Sequence, residues 1–169
     1  MRCFVAISLP ANEILVKTIT ENKPMGRSVE GKNLHLTLKF LGEIHSVEKI
    51  RKSLEGIRSK RFSIILKGMG AFPNAQHGRV LFVKAYPESP LKELADEVNS
   101  RTREIPLDHP FSPHLTILRV KDKRDFSELI SKNENTVFLE QEVTSFTLYE
   151  SVLKPTGPIY NEIQTYQFM

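Results

Sequence analysis

The sequence predicts an α+β protein whose single bilobal domain covers residues 1–169, with two pseudo-symmetric lobes of antiparallel sheet plus helices around a central cleft. Three observations predict this fold. Strand-like runs alternate with helical patterns, and the order repeats in the second half. No linker or low-complexity segment separates the halves. Two nearly identical tetrapeptides, HLTL from His35 and HLTI from His114, stand about half a chain length apart, as expected of corresponding positions in related lobes.

The first half contains two predicted strands, each followed by a predicted helix, over residues 2–9, 11–23, 34–41 and 46–60. The first strand (RCFVAISL) is a continuous apolar run that ends at Pro10. The second (LHLTLKFL) alternates apolar and polar residues, which is typical of a half-buried strand. Gly26 ends the first helical pattern, and Ser46 is a suitable N-cap for the second helix.

The second half has predicted helices over residues 91–103 and 126–132, and predicted strands over residues 62–72, 79–86, 112–120, 136–149 and 159–168. The first two strands are joined by a turn around Pro73. Pro113 is tolerated only at the start of its strand or on an edge. Residues 154–158 (KPTGP) form the last turn.

Composition narrows the class of protein. The chain has 24 Lys+Arg against 20 Asp+Glu, a net charge of +4, which permits an anionic ligand without demonstrating a nucleic acid. Cys3 is the single cysteine, so a disulfide framework is excluded, and we expect it to be a buried small apolar residue. The apolar run near the N-terminus is too short to span a membrane. We therefore expect a cytoplasmic protein that does not associate with membranes.

The repeated motif has a chemical meaning. In a strand, residues i and i+2 lie on one face, so His35 shares a face with Thr37, and His114 shares one with Thr116. Imidazole has a pKa of ~6.5 and can act as acid or base near neutral pH. The threonine hydroxyls can donate hydrogen bonds to two phosphate oxygens. A lone His-x-Thr is more often structural, but two copies predict a functional site.

The two motifs resemble the signatures of the two-histidine (2H) phosphoesterase superfamily, and most closely those of the LigT-like RNA 2′,3′-cyclic phosphodiesterases, also described as 2′-5′ RNA ligases. The resemblance extends over essentially the whole chain, with Phe82 replacing an expected tryptophan. The matching stretches are residues 2–7 (RCFVAI), 35–43 (HLTLKFLGE), 70–74 (GAFPN), 79–82 (RVLF), 113–120 (PHLTILRV) and 153–160 (LKPTGPIY).

The resemblance implies hydrolysis of a 2′,3′-cyclic phosphate at an RNA end, such as that of a tRNA fragment, to a 2′-phosphate. His35 stands at the family's proton-donor position and His114 at its proton-acceptor position. Thr37 and Thr116 would hold phosphate oxygens, where charge accumulates in the transition state. No metal or other cofactor is implied, and we expect a monomer.

Two further site residues conflict with strict strand alternation. The family has an arginine that helps to bind phosphate at the position of Arg119, and an aromatic residue near the nucleobase at that of Phe40. Alternation places both side chains opposite the histidines, in the core. A β-bulge or a strand end would turn Arg119 towards the cleft. Alternation instead places Lys39 on the His35 face, at the cleft edge.

Other functions stay open at this point. The same site could join RNA ends in the reverse, 2′-5′ ligation reaction, or could act on a smaller cyclic phosphate such as a cyclic mononucleotide or ADP-ribose cyclic phosphate. A nucleotide- or RNA-binding module without turnover would keep the cleft, although intact histidines and threonines disfavour it. The other histidines, His45, His77 and His109, fall in predicted loops, and no carboxylate or cysteine has metal-ligand spacing within the motifs.

Overall fold

The computed structural model describes residues 1–169 as two antiparallel sheets and four α-helices, which confirms the predicted fold class. The strands are β1 (Arg2–Ser8), β2 (Arg27–Ser28), β3 (His35–Glu43), β4 (Phe62–Phe72), β5 (Gly78–Tyr86), β6 (His114–Arg124), β7 (Val137–Val143), β8 (Ser145–Lys154) and β9 (Gly157–Gln167). The helices are α1 (Glu13–Asn22), α2 (Val47–Leu54), α3 (Glu88–Arg101) and α4 (Ser127–Lys132).

The two sheets repeat one arrangement. The first has the strand order β3-β1-β8-β9, and the second has the order β2-β6-β5-β4-β7. Apart from the two-residue strand β2, each sheet is four strands wide and carries an HxT motif at the start of its β3 or β6 strand. β3 and β6 are also in contact with each other, so the two motifs meet along the line where the sheets join.

Two of the helices each pack on the sheet opposite to the one that precedes them in the chain. α1, which follows β1 of the first sheet, packs on β6 and β7 of the second, and α3, which connects β5 and β6 of the second, packs on β3 of the first. The N-cap Asn12 fixes α1 in this position. Its Oδ1 accepts a hydrogen bond from the Leu15 amide (2.9 Å), and its Nδ2 donates one to the Phe138 carbonyl in β7 (2.7 Å). One hydrophobic core therefore joins both sheets.

Several element boundaries differ from the sequence prediction. The predicted strand over residues 136–149 is two strands, because the chain passes from the second sheet to the first at Thr144 without a glycine or proline to mark the change. α2 ends at Leu54 instead of residue 60, shortly before Gly56. β2 was not predicted, since two residues carry no periodic signal. Cys3 is buried, as expected. None of the helices combines the length and apolar character needed to cross a bilayer.

Candidate active site

The two motifs place equivalent side chains on facing strands. Leu36 and Leu115 are fully buried, whereas His35, Thr37, His114 and Thr116 are only partly buried on the opposite faces of their strands. The positive charge of His114 contributes to lowering the pKa of His35, so the two rings share one electrostatic environment. The contact between β3 and β6 and this charge effect place the two histidines near each other, and Thr37 and Thr116 lie on the same faces of their strands as the histidines.

Both imidazole rings are held in the same way. Nδ1 of His35 lies 2.7 Å from the carbonyl oxygen of Asn33, and Nδ1 of His114 lies 2.7 Å from that of Ser112. A carbonyl can only accept, so each Nδ1 carries the proton and donates it. In the neutral ring the other nitrogen, Nε2, is then an unprotonated base. In the cationic ring the same Nε2 is a proton donor.

Aromatic rings surround each histidine. The His35 ring lies 5.1 Å from Phe4 and 5.2 Å, edge to face, from Tyr160. The His114 ring makes edge contacts with Phe72 at 5.1 Å and Phe82 at 5.2 Å. Each imidazole is therefore packed between two aromatic rings in addition to its Nδ1 hydrogen bond.

Burial lowers the pKa of both histidines. Desolvation by burial is the main cause for each, and it outweighs the carbonyl hydrogen bond, which favours the cation. The positive charge of Arg119 lowers both pKa values further. The neutral imidazole is therefore favoured in the free protein, and a bound anion would shift the balance towards the cation.

A β-bulge interrupts each motif strand at the same position. In the pairing of β1 with β3, Ala6 lies opposite Thr37, and its neighbour Val5 lies opposite Lys39. Leu38 has no partner in β1 and is therefore an extra residue in β3. Ile117 is the equivalent extra residue in β6. A one-residue insertion exchanges the faces of every residue that follows it. Residues five positions after each histidine therefore return to the face that carries the histidine.

The bulges account for the two residues that alternation placed wrongly. Phe40 is 47% exposed and its ring lies 6.1 Å from Phe4, which also contacts His35. Arg119 is exposed, and its charge lowers the pKa of both motif histidines. Phe40 and Arg119 thus occupy equivalent places in the two sheets, on the same side as the histidines.

The expectation for Lys39 is wrong for the same reason. The bulge turns its side chain away from His35 into the interior, where the residue is only 3% exposed. The three N–H groups of its Nζ are shared among four oxygens near the end of α3: Asn99 Oδ1 (2.8 Å), Thr102 O (3.0 Å), Thr102 Oγ1 (2.9 Å) and Ile105 O (2.6 Å). Lys39 therefore connects the first sheet to the C-terminal end of α3.

Two neighbours of the histidines were not singled out from the sequence. Tyr160 lies in the PIY stretch near the C-terminus, and its ring contacts His35 although the two are far apart in the chain. Asn33 is buried; besides its carbonyl bond to His35, its Nδ2 donates to the Pro158 carbonyl (3.1 Å). The β8–β9 hairpin is thereby attached to the residue that holds His35. His45, His77 and His109 lie in loops, as predicted.

Comparison with known proteins agrees with this geometry. The family model for the 2′-5′ RNA ligase superfamily matches residues 10–154. An RNA 2′,3′-cyclic phosphodiesterase of Methanocaldococcus jannaschii is 36% identical, over 97% of this chain and 99% of its own. That of Archaeoglobus fulgidus is 35% identical, over 83% of each chain.

Solved structures have the same fold. A protein of Thermus thermophilus superposes with a TM-score of 0.83 at 32% identity, covering 99% of this chain and 98% of the other. Escherichia coli LigT complexed with 3′-AMP gives a TM-score of 0.77 at 31% identity, covering 99% and 97%. On the family model, the relatives and the shared fold together, the chain belongs to the 2′-5′ RNA ligase superfamily.

Proposed function

We propose that this protein is an RNA 2′,3′-cyclic phosphodiesterase, which hydrolyses a cyclic phosphate end to a 2′-phosphate by metal-independent acid–base catalysis. The observation that carries the proposal is the pair of imidazoles on adjoining strands, each with Nδ1 bound to a carbonyl and Nε2 left free. Relatives named RNA 2′,3′-cyclic phosphodiesterase that align over most of the chain support the same reaction.

The first step needs a base. Neutral His114 accepts a proton at Nε2 from a water molecule, and the water oxygen forms a bond to phosphorus. The lowered pKa of His114 supports this role because it keeps the imidazole unprotonated in the free protein. The negative charge that develops on the phosphate oxygens is stabilised by hydrogen bonds from Thr37 and Thr116 and by the Arg119 guanidinium.

The second step needs an acid. As the bond between phosphorus and the 3′ oxygen breaks, protonated His35 donates its Nε2 proton to that oxygen. The phosphate then remains on the 2′ oxygen. His35 must be a cation at this stage, and the nearby phosphate anion raises its pKa from the lowered value of the free protein. Every bond change uses a proton transfer or a hydrogen bond, so the scheme needs no metal.

The substrate we propose is the cyclic phosphate end of an RNA, including tRNA fragments, bound by a monomer. Phe40 supports a nucleotide ligand, because its exposed ring offers a face for a base to stack on. Ligation of a 2′,3′-cyclic phosphate end to a 5′-hydroxyl end is the second candidate. It is favoured by the match to the 2′-5′ RNA ligase superfamily, and microscopic reversibility allows it at the same histidines.

The test is incubation of an oligoribonucleotide that ends in a 2′,3′-cyclic phosphate with the protein in excess EDTA. We expect the unaltered protein to form a 2′-phosphate product and His114→Ala to form it roughly 10²–10⁴-fold more slowly. Anisotropy of the same labelled RNA measures binding independently. Binding without turnover by the unaltered protein would contradict the proposal and would identify a non-catalytic RNA-binding module. Turnover lost in EDTA and restored by a divalent ion would contradict metal independence.

A further inference from the structure

The short strand β2 brings a second arginine beside Arg119. Arg27 in β2 pairs directly with Arg119 in β6, and Ser28 pairs with Leu118. Directly paired residues of antiparallel strands project to the same face of the sheet. The bulge at Ile117 turns Arg119 to the face that carries His114, so Arg27 lies on that face as well. Arg27, Arg119 and Val80 are neighbours across the three strands β2, β6 and β5.

The approach of β2 to β6 depends on Gly26. A Cβ at this position would lie 2.5 Å from the Arg119 carbonyl oxygen and 2.9 Å from a Val120 methyl group. Any other residue would therefore push β2 away from β6. The Val29 amide adds a hydrogen bond to the Ile117 carbonyl at the bulge itself (3.1 Å). The fold thus fixes the backbone of Arg27 against the strand that carries Arg119.

Placing two arginines opposite each other is unfavourable unless an anion lies between them. Like charges at directly paired positions destabilise a sheet. The ion pairs of the protein involve neither Arg27 nor Arg119, so no carboxylate neutralises the pair. Guanidinium groups bind phosphate through paired hydrogen bonds, and an exposed pair of them makes a suitable site for it.

We propose that Arg27, together with Arg119, binds the phosphate on the 5′ side of the terminal nucleotide, whose cyclic phosphate lies at the two histidines. Arg119 lies three residues beyond Thr116 along β6, a span of about 7–10 Å. Arg119 therefore stands between the reacting phosphate and the next one in the chain, and Arg27 contacts the next one alone. This inference rests on the proposed function and adds to it a preference for RNA ends over cyclic mononucleosides.

Two small substrates isolate the contribution of this phosphate. Adenosine 2′,3′-cyclic phosphate lacks it, and the same compound with a 5′-phosphate contains it. We expect the unaltered protein to have the higher kcat/KM for the 5′-phosphorylated compound. Arg27→Gln should reduce that kcat/KM roughly tenfold through KM, as expected for one lost charge-assisted hydrogen bond, and leave the other substrate within about twofold.

Arg58→Gln is the matched control, because it removes the same charge from the exposed loop between α2 and β4. It should leave the ratio of the two kcat/KM values unchanged. An equal loss on both substrates in Arg27→Gln would overturn the proposal, since Arg27 would then act on the reacting phosphate. A 5′-phosphate that brings no gain in the unaltered protein would overturn it as well.

Calorimetry with the product analogues separates this inference from the proposed function. Adenosine 2′,5′-bisphosphate should bind more tightly than adenosine 2′-phosphate, and Arg27→Gln should reduce this difference roughly tenfold, because Arg119 still contacts the second phosphate. That result supports the second phosphate site even if the protein turns over neither substrate, in which case only the proposed hydrolysis fails. Equal affinities of the unaltered protein for the two compounds would contradict the second site.

Discussion

The two sheets use one backbone design with different side chains. Each has an HxT motif, a one-residue bulge and an exposed residue five positions after the histidine, and β3 and β6 begin with the same pattern of buried and exposed residues. The exposed residue is Phe40 in one sheet and Arg119 in the other, and the buried residue before it is Lys39 or Leu118. The shared backbone sets two histidines at equivalent positions, and we propose that the differing side chains around them let each perform a different half of the reaction.

The largest effect should come from the histidines themselves. His35→Ala and His114→Ala should each reduce kcat by roughly 10²–10⁴, because each removes one partner of the proton transfer. Steady-state hydrolysis of an RNA cyclic phosphate measures this loss, with thermal unfolding as the check on folding. His45→Ala, in a loop, is the control and should keep full activity. If only one of the two alanine variants lost activity, the histidines of the two sheets would not act together in one reaction.

The next largest difference should appear at the residues buried beside the bulges. Lys39→Met should lower the free energy of unfolding by about 2–4 kcal/mol, since it leaves the oxygens of Thr102 and Ile105 buried without a donor. Leu118→Met, at the equivalent position, conserves volume and should cost less than about 1.5 kcal/mol. Urea unfolding measures both. Equal costs would mean that Lys39 acts only as a space-filling side chain.

These bulges also explain which parts of the site were predictable from the sequence. The face shared by His35 and Thr37 precedes the bulge, so alternation placed it correctly. In the second sheet, the adjacent apolar residues Ile117 and Leu118 break the alternation and could have marked the bulge. In the first, Lys39 hides the break because its stem is buried while its ammonium finds four oxygens.

The crossing of the helices could not be predicted from periodicity. The pattern gives the apolar face of α1 but not the sheet that covers it, and the N-cap contact between Asn12 and Phe138 joins residues far apart in the chain. Likewise, the ring of Tyr160 in β9 contacts His35 in β3, although these strands form opposite edges of the same sheet. Local patterns therefore predicted the elements and the paired motifs, and long-range packing decided their neighbours.

The pH dependence of hydrolysis should reflect the lowered pKa values of both motif histidines. kcat/KM reports the free enzyme, in which burial lowers both pKa values below 6.5. Activity falls as pH drops and His114 is protonated, and it falls as pH rises and His35 loses its proton. The maximum of the bell-shaped profile of kcat/KM should therefore lie on the acid side of pH 6.5. The two apparent pKa values of the profile describe the interacting histidines together and cannot be assigned to one ring each. A maximum on the alkaline side would contradict the assigned desolvation.

The same lowered pKa values affect stability. The folded protein binds protons at these rings less readily than the unfolded chain does. The two neutral imidazoles therefore contribute stability that is present above about pH 6.5 and is lost as the pH falls through their lowered values. Thermal unfolding of the unaltered protein at a series of pH values should detect this loss, and the double variant His35→Ala/His114→Ala should show less of it.

The smallest difference should separate the two residues whose carbonyls hold the imidazoles. Asn33→Ala keeps its carbonyl but loses the side-chain bond to Pro158, so we expect about 1 kcal/mol less stability and a several-fold lower kcat/KM. Ser112→Ala keeps the equivalent carbonyl bond to His114, and its side chain is exposed, so it should change neither quantity. If the two variants had the same stability and the same kcat/KM, the contact between Asn33 and the β8–β9 hairpin would have no effect on the His35 site.

The most direct test of the central claim asks whether the two equivalent histidines perform opposite proton transfers. In a 2′,3′-cyclic substrate whose 3′ bridging oxygen is replaced by sulfur, the leaving thiolate needs no proton donor. We expect this substrate to restore most of the activity lost in His35→Ala and little of that lost in His114→Ala. Rescue of His114→Ala instead, or equal rescue of both variants, would contradict the assignment of His35 as acid and His114 as base.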